Sequence, residues 1–141
     1  MKQYCLCLTI VLVLTYGGPS LAQETIVTDV QVKKQVIDTV SPLLQALKDG
    51  DVQTIRQYMS DDLYSNYKVL FEQNKEYPEF LRNFYKGASF QTGKITRVGD
   101  HILVDTIIKF PDSNTSVTRV LLKKDKNNTM KIFSIREKKK Q

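Results

Sequence analysis

The chain has 141 residues, with 21 basic and 15 acidic side chains, one histidine, two cysteines and no tryptophan, for a formal net charge of +6. That length carries one domain with a single core. Both cysteines, Cys5 and Cys7, lie near the N-terminus, so the rest of the chain excludes disulfides, thiolate metal sites and cysteine nucleophiles.

Residues 1–22 read as a cleavable signal peptide. Lys2 is the lone charge before an apolar run from Tyr4 to Tyr16, which ends at the breaker Gly17-Gly18-Pro19. Ser20-Leu21-Ala22 then puts small residues where a signal peptidase reads, so cleavage is expected after Ala22. The run is shorter than the roughly 20 residues that span a bilayer, so no stable membrane anchor is expected. The expected location is secreted or periplasmic, and an exported domain without disulfides suits a bacterial periplasm. Lys138, Lys139 and Lys140 crowd into a basic tail over residues 138–141. Without that tail the charge is nearly balanced, so nucleic acid is not an expected partner.

Residues 23–29 form a polar lead-in, and residues 30–137 a single α+β domain. From Val30 to Lys48, apolar residues fall on one helical face at Val32, Val36, Val40, Leu43, Leu44 and Leu47. Ser41-Pro42 makes this either one kinked helix or two abutting ones. Gly50 fits a helix C-terminus, and Asp51 caps a second helix reaching about Met59. Ser60 or Asp61 caps a third, with Leu63, Tyr67, Leu70 and Phe71 along its stripe. Pro78 and Glu79 open a short fourth helix, and Gly87 closes the helical half.

The period then changes to two. Residues 89–98, 101–110, 115–124 and 129–137 read as four strands rich in Val, Ile, Thr and Phe, joined by short turns into an antiparallel meander. In the second of these strands, Ile102, Val104, Thr106, Ile108 and Phe110 should face the helices. The other side still carries Leu103 and Ile107, with Val120 and Leu122 expected to join them. A sheet apolar on both sides calls for a cover, so a homodimer through the outer sheet face is an expected partner arrangement.

The order of elements, and the string Ala46-Leu47-Lys48-Asp49-Gly50-Asp51 followed by Ile55 and Tyr58-Met59-Ser60-Asp61-Asp62-Leu63, resembles nuclear-transport-factor-2-like domains. The resemblance spans roughly residues 31–137. It implies a cone-like fold with a pocket between helices and a four-stranded sheet, on a scaffold that hosts isomerases, cyclases, hydrolases and plain binding modules. One departure is the absence of the tryptophan such domains often carry in the last strand, where Met130-Lys131-Ile132-Phe133 stands.

Nine of the eleven aromatic residues beyond residue 22 lie between Tyr58 and Phe90. Tyr58, Tyr64, Tyr67, Phe71, Phe84 and Phe90 are candidates to line an apolar ligand pocket, or else ordinary core at helical spacing. Asp61 and Asp62 read as helix-capping carboxylates, or as a general base with Tyr58 stabilising an oxyanion. Asp105, an acid in mid-strand, reads as a catalytic carboxylate, or as an exposed cross-strand partner of Lys94. His101 lacks a ligand cluster, so neither metal nor cofactor is expected. The favoured function is a non-catalytic exported domain binding a small apolar ligand or a protein partner. The alternatives are an isomerase- or cyclase-like enzyme using a buried Asp and Tyr, and an envelope-associated factor held by its basic tail.

Overall fold

The computed structural model describes residues 23–138. The expected signal segment and Lys139, Lys140 and Gln141 lie outside the described residues. A two-residue strand and four helices precede the other four strands of an antiparallel sheet: β1 (Thr25–Ile26), α1 (Val30–Asp49), α2 (Val52–Tyr58), α3 (Asp61–Glu72), α4 (Tyr77–Phe84), β2 (Ser89–Val98), β3 (His101–Lys109), β4 (Thr115–Lys124) and β5 (Met130–Glu137). The strand order is β1-β2-β3-β4-β5. The α+β class and meander are as the periodicity predicts, with one strand more. The fifth comes from the lead-in, where Thr25 and Ile26 pair with Arg97 and Thr96 of β2 and Val27 is buried.

The helix boundaries follow local chemistry. The Asp29 carboxylate accepts the amides of Gln31 and Val32 at the start of α1, and Ser60 Oγ accepts the amide of Leu63 at the start of α3. Asp51 does the same for Thr54 in α2. Helix α1 runs unbroken through Pro42, so Ser41 caps nothing and the helix simply forgoes one N–H donor. It ends at Gly50, whose φ is +66° and whose added Cβ would meet the Pro78 carbonyl oxygen at 2.3 Å. Only glycine lets α4 approach this closely.

One face of the sheet makes the core with the helices. Val36, Val40, Leu43 and Leu44 of α1, Ile55 of α2, Leu63 of α3 and Leu81 of α4 pack with Ile95, Ile102, Val104, Val120, Leu122 and Ile132. Val120 and Leu122 thus face inward, contrary to expectation. The β3–β4 turn pairs Lys109 with Thr115, which puts Val120 across from Val104 and Leu121 across from Leu103. Leu121 and Val117 therefore share the outer face with Leu103 and Ile107. In the last hairpin an irregularity beside Leu121 and Leu122 shifts the pairing so that Leu121 meets Ser134 and Leu122 meets Ile132.

Candidate binding surfaces

The aromatic side chains of α3, α4 and the neighbouring strands form a ladder. Tyr64 and Tyr67 each stack on Phe71 at 5.8 and 5.9 Å between ring centroids. The contacts continue from Phe71 to Tyr77, to Phe80 and to Phe84, at 5.6 to 5.9 Å. Phe84 then meets Tyr85 and Phe110 edge-on, and Tyr85 touches Phe90. These separations suit offset or edge-to-face rings. Helical spacing places Phe80 and Phe84 one turn apart on α4, which is why they stack.

Burial divides the six candidate ligand residues. Tyr58, Tyr64, Tyr67, Phe71 and Phe90 are half-buried and packed on the core. Phe84 is 52 % exposed and Phe80, next on the ladder, 56 %. Tyr64 also borders an open groove of about 570 Å³ between α2–α3 and the β4–β5 hairpin. Phe84 borders a separate cleft of about 460 Å³ with Phe110, Pro111, Asp112 and Asn114. The six residues therefore do not converge on one of these openings. Between helices and sheet, the space where the resemblance implies a pocket holds Val36, Val40, Leu43, Ile55, Val104, Val120, Leu122 and Ile132, each fully buried.

At the groove end of the ladder, the Arg56 guanidinium lies 4.6 Å from the centre of the Tyr64 ring. The Tyr64 hydroxyl donates to Glu72 at 2.7 Å, and this bond, foremost among several influences, raises the tyrosine pKa. Asp61 and Asp62 are exposed in the first turn of α3, where the helix dipole favours them. Lys131 reaches across to donate to the carbonyl of Gln57 at the end of α2. The sequence holds no signal for Arg56 and marks Phe110 only as an inward-facing strand residue. The three-residue spacing of Arg56 from Met59, at the end of a helix leading into Tyr64, carries no signal by itself.

Asp105 corrects its expected reading most sharply. It is 7 % exposed, and its partners are Arg119 and Lys138 instead of Lys94. The β2–β3 register slips between Thr92 and Ile95, which takes Lys94 out of the rung opposite Asp105, whereas Arg119 stands directly across on β4. Arg119 Nε and Lys138 Nζ each approach the carboxylate at 2.9 Å. Burial pushes the Asp105 pKa up, but the hydrogen bonds and charges of Arg119 and Lys138 outweigh it, so the net shift is down. Lys138, read as the first residue of a loose tail, is instead tied to the sheet. Beside this group, Thr96 donates to Glu24 at 2.6 Å, and Glu24 is 3.9 Å from Arg119.

His101 pairs with Asp100 in the β2–β3 turn at 3.0 Å. Among the described residues, no group of His, Cys, Asp or Glu is placed to hold a metal ion, and no helix is long and apolar enough to cross a membrane. No family model matches the chain, and neither a curated protein nor a solved structure matches it.

Proposed function

We propose that the chain is a non-catalytic, exported interaction domain that offers the Phe80–Phe84–Phe110 edge to a protein partner. The observation that carries this reading is the exposure of Phe80 and Phe84 at the end of an otherwise packed aromatic ladder. Exposed adjacent aromatics are costly in a free monomer and are the side chains that most often anchor protein interfaces. A protein fits better than a small apolar ligand, because the cleft beside Phe84 is open and the interior is filled with side chains. The N-terminal signal pattern supports export. Four helices on one side of a sequential meander support the nuclear-transport-factor-2-like resemblance, with its cone-like outline.

The enzyme reading draws less support. A general base needs a carboxylate whose proton affinity is raised in an apolar site. Asp61 and Asp62 stand in water, and Asp105 is held ionised by two cations.

The test is site-specific photocrosslinking in cells that naturally produce the chain. A benzoylphenylalanine replacing Phe80 or Phe84 should give one discrete adduct with a different polypeptide, and the same group at Ile37, exposed on α1, should give none. Absence of an adduct at both aromatic positions would overturn the proposal, as would an adduct with a second copy of the chain.

A further inference from the structure

The groove between α2–α3 and the β4–β5 hairpin is bordered by five cations, Arg56, Lys123, Lys124, Lys126 and Lys131, and by three acids, Asp61, Asp62 and Asp125. Among the described residues, Lys123 alone of the five cations is ion-paired, to Asp100 at 3.1 Å on the neighbouring turn. Lys124 and Lys126 are exposed, Arg56 lies on the Tyr64 ring, and Lys131 donates to the Gln57 carbonyl. Asp125 is already engaged, accepting the amides of Asn127 and Thr129 at 2.8 and 2.9 Å within its turn. Lys123 and Lys131 are also register partners across β4 and β5, so two half-buried lysines share one rung and one face of the sheet. Like charges directly opposite each other destabilise a sheet, and a bound anion offsets the repulsion.

We propose that this groove binds a flexible linear polyanion built of phosphate groups. At about 570 Å³ and open along its length, it suits a chain laid across the hairpin better than a single enclosed anion. Lysine ammoniums are mobile point charges that accept successive phosphates at variable spacing. A guanidinium stacked on a ring still presents its in-plane N–H fork to a phosphate. An acidic peptide fits less well. The β5 edge that would pair with a peptide backbone is closed here, because the Ile132 carbonyl accepts the Ser60 amide at 2.8 Å and Met59 bridges to Ile132. Asp61 and Asp62 on the opposite lip repel the chain and confine it to the hairpin side. Neither Phe80 nor Phe84 borders the groove, so the site is separate from the aromatic edge of α4.

Isothermal titration of the purified protein with a short sodium polyphosphate chain tests the site. Wild type should bind, and its affinity should fall roughly fiftyfold between about 50 and 200 mM salt, the dependence of about four charge contacts. The double variant K124E/K126E should weaken binding roughly tenfold or more. K75E/K86E makes the same change in net charge on exposed lysines elsewhere and should stay within about twofold of wild type. D61N/D62N removes the repelling lip and should tighten binding. A wild type that does not bind, equal losses in the two lysine pairs, or weaker binding in D61N/D62N would each overturn the proposal. So would equal affinity for inorganic phosphate or for polyglutamate of matched charge, and so would loss of binding in a chain ending at Lys138, which would move the contact to the tail. Should K124E/K126E fail to fold by circular dichroism, acetylation footprinting of wild type decides. Polyphosphate should shield Lys124, Lys126 and Lys131 and leave Lys75 and Lys86 reactive, and uniform reactivity would refute the site.

Discussion

Asp105 and Thr106 are neighbours on β3, and the pleat sends them to opposite faces of one sheet. Both are buried, at 7 % and 0 % exposure. The outer residue is a carboxylate held by two cations, whereas the inner one is a hydroxyl whose Oγ1 has no hydrogen-bond partner among the described residues. The face that ought to be wet thus satisfies its polar group, and the face that is dry does not. Burial alone says little about stability; what matters is whether a buried polar atom finds its complement.

That contrast can be broken at three points. Leu43→Ala removes a fully buried side chain that helps join α1 to the inner face, and should cost about 3 kcal/mol in a urea titration. A loss under about 1 kcal/mol would mean that the inner core is loosely packed. Asp105→Asn leaves Lys138 without its counter-charge and Arg119 with only Glu24 at 3.9 Å, and should cost about 2 kcal/mol at neutral pH. The pKa of Asp105 is lower folded than its ordinary 3.8, so its stabilisation is complete above that value and fades as pH falls through the folded pKa. The gap between wild type and D105N should therefore close in acid below about pH 4, and a gap that persists there would assign the effect to shape instead of charge. The smallest change runs the other way. Thr106→Val exchanges the unpartnered hydroxyl for a methyl and should raise stability by about 1 kcal/mol, seen as a higher melting temperature; a loss would mean that the hydroxyl has a partner.

Much of the scaffold was legible because its signals are local. The caps at Asp51 and Ser60, the glycine stop at Gly50 and the inward alternation of Ile102, Val104, Thr106 and Ile108 need only neighbouring residues to be read. The failures lie where distant segments fix the outcome. Lys94 was matched to Asp105 by counting back from the Gly99-Asp100 turn, and the slip between Thr92 and Ile95 spoiled the count. Counting forward through the Phe110–Asn114 turn would have found Arg119, and would also have turned Val120 and Leu122 inward. The pairing of the lead-in with β2 joins residues about seventy positions apart and has no local mark beyond the apolar Ile26 and Val27. The aromatic concentration was plain in the sequence. That it runs as a ladder ending in exposed Phe80 and Phe84 follows from how α3 and α4 meet, which spacing within either helix does not encode.

The two-residue strand at Thr25 and Ile26 gives the beginning of the domain a protective duty. It covers part of the β2 border, with the Val27 amide bonded to the Ile95 carbonyl and Glu24 clasping Thr96. Trimming the chain through Thr28 would strip that selvedge and leave β2 with bare amides and carbonyls, a template on which a foreign strand can zip. A chain shortened past Ile26 would therefore be aggregation-prone, whereas one that keeps Glu24, Thr25 and Ile26 retains the cover.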